Sequence, residues 1–278
     1  MRTFLRHLYH SVKNKAILYV LLPLLLGGCI EHRYYVSPYN GNHSTYHPIP
    51  LKTDSVRSGY YVAGTVAIGG ANDQGVDDVF AFHGNVSGGH NLGLFQAFYG
   101  LSLSAGNYKV DTATGVYRPG NKSFGGTGFE GGINVVMPFE GGEWRLIGVE
   151  TSLYNEFGKY LQFRKTLPDP DSYDNVIDLV VRNKFYGTFG GYTEVITQGE
   201  ATAWGFRIGG GWPLGTHYRN KTIYDPYEDI HLQYQYLYFT THLTKNRSTG
   251  FMRLNAATKA TNIMFGLNYR LGKRPGLK

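Results

Sequence analysis

A single cysteine, Cys29, stands in a chain of 278 residues. No disulfide framework is possible, so covalent cross-links do not hold this fold together. Charge is scarce: 17% of residues are Asp, Glu, Lys or Arg, where a soluble globular chain carries about 25%. The excess of positive charge is also smaller than it looks. Arg2, Arg6, Lys13 and Lys15 account for four of the 27 basic residues, and the remainder nearly balances the 20 acids. Nucleic-acid binding wants a concentrated basic face, which this balance does not supply. Long apolar runs are nearly absent. Ala16 to Leu26 is the one such run, interrupted at Pro23, and it is too short for a membrane-spanning helix of about 20 residues.

What is present is glycine and aromatic side chains: 38 Gly and 15% Phe, Trp and Tyr. Low charge with abundant Gly and Tyr implies that much of the surface does not face water. Residues 1–28 read as a secretory signal peptide, with a basic start, a short apolar core and a small-residue ending. Leu26-Gly27-Gly28-Cys29 resembles the lipobox of bacterial lipoproteins. The resemblance implies cleavage before Cys29, a diacylglycerol on its sulfur and a fatty acyl group such as palmitate, with no other cofactor. Ile30 carries no inner-membrane retention signal, and Glu31 is a hint of surface export. Cys29 is expected to start on the periplasmic side.

Residues 29–54 read as the acylated terminus and a flexible tether. Pro38, Pro48 and Pro50, with Asn40-Gly41-Asn42 between them, break regular elements. His43 and His47 are four apart, a helical metal-ligand spacing, but Pro48 opposes a helix. They are expected to be solvated loop histidines.

From residue 55 to 272 the pattern is period two, which predicts strands. Tyr60, Val62, Val66 and Ile68 alternate with Ala63, Thr65 and Ala67. Phe80, Phe82 and Val86 alternate with Ala81, His83 and Asn85. The same holds for Asn91 to Ser104, Trp144 to Tyr154, Ala201 to Gly211 and Thr261 to Leu271. Thr127 to Phe139 and Phe185 to Thr197 alternate less cleanly. His231 to Thr244 and Gly250 to Ala257 supply two further strands, for ten in all; eight result if that region is instead one outer loop.

One face of these strands is large and apolar. The other is Gly, Ala, Ser, Asn and Gln with isolated charges, which would be expensive in lipid. A narrow transmembrane barrel wants that arrangement, with small and polar residues filling the lumen. His83, Glu150, Arg207 and Arg270 are therefore candidates for a polar lumen network. A soluble lipocalin-like lipoprotein is the alternative. Turn lengths alternate, short at 88–90, 140–143 and 198–200, long at 72–77, 105–126, 157–184 and 216–229. Outer-membrane barrels put short turns in the periplasm and long loops outside. Residues 273–278 form a tail.

The chain resembles the small outer-membrane β-barrel proteins of diderm bacteria, more narrowly barrel-bearing lipoproteins in which a Tyr- and Pro-containing segment follows the acylated cysteine. Leu26 to Cys29, Tyr35-Val36-Ser37-Pro38, Pro50-Leu51 and Gly266-Leu267-Asn268-Tyr269-Arg270-Leu271 carry the resemblance. It implies an all-β, closed up-and-down barrel in the bacterial outer membrane, and it carries over no catalytic residues. Such proteins usually end on an aromatic residue, and this tail departs from that.

For function, Tyr173, Tyr218, Tyr224 and Tyr227 in the long loops are candidates for recognition, because tyrosine is enriched at binding hot spots; an aromatic belt would use them equally well. Outer-membrane lipid is the expected neighbour, with an envelope or surface partner of unstated identity and no nucleic acid. A lipid deacylase would need His and Ser two apart on one strand face, and no His-x-Ser occurs after Cys29. Gly126-Thr127-Gly128-Phe129-Glu130-Gly131 has dinucleotide-loop spacing but lies in a strand. Asp169, Asp171 and Asp174 form an acidic loop, expected to be solvated, with no metal. The expectation is a non-enzymatic barrel with a structural or surface-binding role. A narrow pore and a lipid-modifying enzyme are the alternatives.

Overall fold

Ten of the alternating segments close on one another in the computed structural model, which describes residues 33–41, 44–52, 57–72, 77–111, 119–167, 177–214, 219–220, 230–231, 235–257 and 260–272. Cys29 and its lipobox, His43, Asp169, Asp171, Asp174, the four loop tyrosines and the 273–278 tail lie outside these residues. The elements in chain order are β1 (Arg33–Tyr35), a 3-10 turn (Pro38–Gly41), β2 (Ser58–Ala71), β3 (Asp77–Leu92), β4 (Phe95–Val110), β5 (Gly120–Phe139) and β6 (Gly142–Gly158). Then come α1 (Lys159–Thr166), β7 (Ile177–Val180), β8 (Phe185–Gln198), β9 (Thr202–Leu214), β10 (Arg219–Asn220) and β11 (Ile230–His231). The chain continues with β12 (Tyr236–Lys245), β13 (Ser248–Ala257) and β14 (Ala260–Arg270).

The barrel runs β2-β3-β4-β5-β6-β8-β9-β12-β13-β14 and every neighbouring pair is antiparallel. It closes where β14 meets β2, with Ile263 opposite Ile68. Closure satisfies every edge, which an open sheet in lipid could not do. The strand count is ten, so the eight-strand alternative falls. Two minor pairings lie outside the barrel: β1 with β7, parallel, and β10 with β11, antiparallel.

The pleat sorts side chains by size. Leu101, Leu103, Ile147, Leu153, Trp204, Leu237 and Leu267 point outward and are exposed, and Leu101 and Ile147 keep 61% and 65% of their surface open. Inward positions hold Thr65, His83, Ser102, Ser104, Glu130, Glu194, Arg207 and Asn268, all buried. A soluble barrel would place these faces the other way round, so the lipocalin-like alternative does not fit. This is the face arrangement of an outer-membrane-type β-barrel.

Turns agree with the expected sidedness, with one difference. Residues 93–94, 140–141, 199–201 and 246–247 make tight turns at one end. The other end carries 72–76, 111–119, 159–184 and 215–235, but also the two-residue connection 258–259. Long and short therefore do not alternate strictly. Two of the long loops are also shorter than expected: β4 and β5 extend to Val110 and from Gly120, and α1 and β7 occupy part of 159–184.

Candidate functional site

The lumen is filled by the chain's own N-terminal segment. Residues 35–39 and 44–50 are buried, which corrects the expectation of a flexible tether for this stretch. Its contacts descend the wall in order. At the long-loop end the Val181 N–H donates to the Tyr35 carbonyl (2.9 Å), and Ser37 Oγ donates to Glu156 Oε2 (2.8 Å). Tyr39 stacks on Tyr154 at 4.8 Å and its hydroxyl meets Ser104 Oγ. Half-way down, Arg253 Nη1 donates to the Ser44 carbonyl (2.7 Å) and the Thr45 N–H donates to Glu130 Oε2 (3.0 Å). Asn85 Nδ2 donates to Thr45 Oγ1 (2.5 Å). Lower still, the Tyr46 hydroxyl meets His242 Nε2 (2.9 Å), and Arg145 Nη2 donates to the Ile49 carbonyl (3.1 Å). At the tight-turn end Gln96 Nε2 donates to the Pro50 carbonyl (3.3 Å), Asn91 Nδ2 to the Leu51 carbonyl (3.3 Å), and the Lys52 N–H to Glu143 Oε2 (2.7 Å).

Proline explains why this segment threads rather than pairs. Pro38, Pro48 and Pro50 lack the N–H that a ladder needs. The remaining backbone groups must find partners once buried, and long polar side chains from the wall provide them. His47 is likewise no solvated histidine: it is 2% exposed and its Nε2 lies 2.7 Å from Glu130 Oε2.

Below the middle of the lumen a cluster of charges converges on Glu194. Its Oε2 accepts from Arg145 Nη1 (2.7 Å) and Arg207 Nη2 (2.9 Å), and its Oε1 lies 2.9 Å from His242 Nε2. Arg145 also pairs with Glu143 (3.0 Å) and donates from Nε to Gln96 Oε1 (2.7 Å). The Arg207 guanidinium sits over the rings of Tyr192 (4.1 Å) and Tyr46 (4.8 Å), so one aromatic of the thread is clamped between wall charges. Tyr154 donates to Glu130 Oε1 (2.6 Å), and Arg164 of α1 pairs with Glu156 and donates to the Val181 carbonyl (2.7 Å).

The four residues expected in a lumen network are not all together. Glu150 and Arg207 face each other at 3.9 Å. His83 is fully buried on the inward face, in register with Thr65 and Ser104. Arg270 lies at the tight-turn mouth, half-buried, and among the described residues it has no ion pair. With Arg247, Tyr61, Ile196 and Leu271 it lines a cavity of about 590 Å³ that ends against Tyr46, Pro48 and Pro50 of the thread.

Sequence reasoning missed Glu130, Glu143, Arg145, Glu194 and Arg253. A bulge hid Arg145. Val135 pairs with Ile147 and Val136 with Arg145, leaving Leu146 unopposed. That extra residue flips parity, so Arg145 points inward with Gly148 instead of facing lipid with Ile147 and Val149. Bulges redirect side chains in this way. Glu194 was readable: it shares parity with Tyr192 and Thr188, both buried. Glycines make room for the large inward side chains. A Cβ at Gly148 would collide with the Tyr192 ring on the neighbouring strand, and one at Gly128 with Tyr154.

No protein-family model matches the chain, and no curated protein sequence matches it. Solved outer-membrane barrels are similar in outline. The translocator domain of autotransporter NalP from Neisseria meningitidis is 11% identical, covering 80% of this chain and 91% of its own, with a TM-score of 0.40. An outer membrane channel from Pseudomonas putida F1 is 9% identical, covering 82% and 100%, with a TM-score of 0.41. LpxR from Salmonella typhimurium is 9% identical, covering 76% and 99%, with a TM-score of 0.36. Likeness at this level carries no argument about what this chain does.

Proposed function

We propose that the chain is a lipoprotein of the bacterial outer membrane: a closed, non-enzymatic barrel that serves the envelope as a structural or surface-binding element through its long loops. Signal-peptide cleavage and acylation at Cys29 would add a lipid anchor to a barrel that already has an apolar belt. The observation that carries the reading is the threaded lumen. Residues 35–41 and 44–52 are bonded to β3, β4, β5, β6, β12 and β13 along its whole depth, and the Glu194 cluster holds Tyr46 in place. That arrangement opposes the narrow-pore alternative, because a solute would have to displace the thread and separate buried ion pairs.

Planar-bilayer recording tests this. The whole chain is expected to give no single-channel events, and a variant lacking residues 35–52 is expected to conduct. Steady conductance from the whole chain would refute the closed-lumen reading. The loop role is tested separately. Replacing Tyr218, Tyr224 and Tyr227 with alanine is expected to abolish partner capture, and unchanged capture would refute recognition by those residues. Mass spectra of lipid A and phospholipids are expected to be unchanged on deletion of the gene; a changed acylation pattern would instead favour a lipid-modifying enzyme.

A further inference from the structure

The direction of the thread fixes where the lipid must be. Barrel strand β2 begins at the tight-turn end, as expected if the chain enters from the periplasm. But the stretch upstream of it, described over 35–41 and 44–52, has already crossed the lumen in the opposite direction. Tyr35 is held at the long-loop end: β1 pairs with β7, the Tyr35 ring meets Phe163 of α1 edge-on at 5.5 Å, and Val181 bonds its carbonyl. Lys52 is held at the tight-turn end by Glu143.

Chain length leaves no way back. Cys29 precedes Tyr35 by six positions, which reach at most about 20 Å when fully extended. The wall is taller. Strand β6 has 17 residues, and at about 3.3 Å per residue and a tilt near 40° it stands about 40 Å high. The lumen beside the thread is occupied by Tyr154, Glu130, Arg253 and the Glu194 cluster, so a second pass inside is also blocked.

We infer that Cys29 and its acyl chains stand on the long-loop side, so that the lipid anchors the protein in the outer leaflet of the outer membrane. This rests on the lipoprotein reading above and runs opposite to the expectation that Cys29 starts on the periplasmic side. Two consequences follow from the geometry. The ten strands must close around the segment, since an acylated terminus cannot be threaded afterwards through a lumen packed with side chains. The barrel then serves as the conduit that carries its own anchor across the membrane, and the thread resists withdrawal because the anchor and the β1–β7 pairing hold its upper end.

Single cysteines read by a membrane-impermeant maleimide on intact and permeabilised cells test the sidedness. The variants are His32→Cys beside the anchor, Thr114→Cys in the connection between β4 and β5, and Glu140→Cys in a tight turn. The expected result is labelling of His32→Cys and Thr114→Cys on intact cells, and of Glu140→Cys only after permeabilisation. Labelling of Thr114→Cys but not His32→Cys on intact cells would overturn the inference, as would labelling of Glu140→Cys alone. The unsubstituted chain separates this from the lipoprotein reading. An acylated Cys29 is silent to maleimide and shows the lipid mass on its N-terminal peptide. If Cys29 itself reacts and carries no lipid, the lipoprotein reading fails; repeating the three variants in a Cys29→Ser background then still decides on which side the thread emerges.

Discussion

Replacing Glu194 with glutamine removes one charge while leaving shape and volume unchanged. Two guanidiniums converge on Oε2 and a histidine on Oε1, and Glu194, Arg145 and Arg207 are all essentially inaccessible to solvent. Breaking a buried pair by removing one partner costs about 3–5 kcal/mol, chiefly because a charge is left uncompensated. The two arginines do not suffer equally. Arg145 keeps Glu143 at 3.0 Å, Gln96 at 2.7 Å and the Ile49 carbonyl at 3.1 Å. Arg207 keeps the faces of Tyr192 and Tyr46 but, among the described residues, a single carboxylate, Glu150, at 3.9 Å. The glutamine carbonyl retains one acceptor, which places the loss at the lower end, about 3 kcal/mol. The folded-to-unfolded ratio should therefore fall by roughly two orders of magnitude. Urea titration of the barrel in liposomes, followed by tryptophan emission, measures it. The double variant Glu194→Gln with Arg207→Met should recover part of the loss, because the orphaned guanidinium is gone. A single variant within 1 kcal/mol of the parent, or a double variant no better than the single, would refute the account of the cluster.

Leu101→Arg, at mid-strand on the lipid face, should cost about 2–4 kcal/mol, while Asn107→Arg, outward but near the long-loop end, should cost less than about 1 kcal/mol; the same urea titration checks the depth dependence, and near-neutrality of both would mean that this face meets water. Gly148→Val should drive the Tyr192 ring off its seat and destabilise by about 1–3 kcal/mol, whereas Gly84→Val, where a Cβ meets nothing within 4 Å, should be close to neutral. Cys29→Ser should lose the acyl mass yet stay in the membrane pellet after carbonate extraction, because the apolar belt is a second anchor; release into the supernatant would contradict an integral barrel.

Much of the barrel was legible because one physical rule dominates it. A strand between lipid and a narrow lumen must alternate large apolar with small or polar residues, and Tyr60, Val62 and Ile68 or Phe265, Leu267 and Tyr269 do so plainly. The thread was not legible, for a reason equally physical. Pro48 and Pro50 exclude helix and ladder, and Pro38 opens no more than a single 3-10 turn, which in a soluble chain signals a solvated loop. Here the same backbone is dry, and its partners are Arg253, Arg145, Gln96 and Asn91, all far away in sequence. Local pattern carries no trace of such contacts. The charge cluster fell between these cases. Glu194 could be read from its parity with Tyr192 and Thr188, Glu130 sits on a strand whose alternation is blurred by glycine, and the unopposed Leu146 reverses parity at Arg145, so extrapolating from Ile147 and Val149 points that side chain at lipid.

The central claim is that residues 35–41 and 44–52 lie inside the barrel. Asn85 Nδ2 and Thr45 Oγ1 are 2.5 Å apart across the lumen. The asparagine amide reaches one bond further than a cysteine sulfur, so the thiols of Thr45→Cys with Asn85→Cys stand a short gap apart and should be joined by a short bifunctional thiol reagent in the folded, membrane-inserted protein. It would be seen as a faster band on a denaturing gel. Thr45→Cys paired with Leu101→Cys, whose side chain faces lipid, should not cross-link. Absence of the first cross-link, or equal cross-linking of both pairs, would contradict the threaded lumen and everything inferred from it.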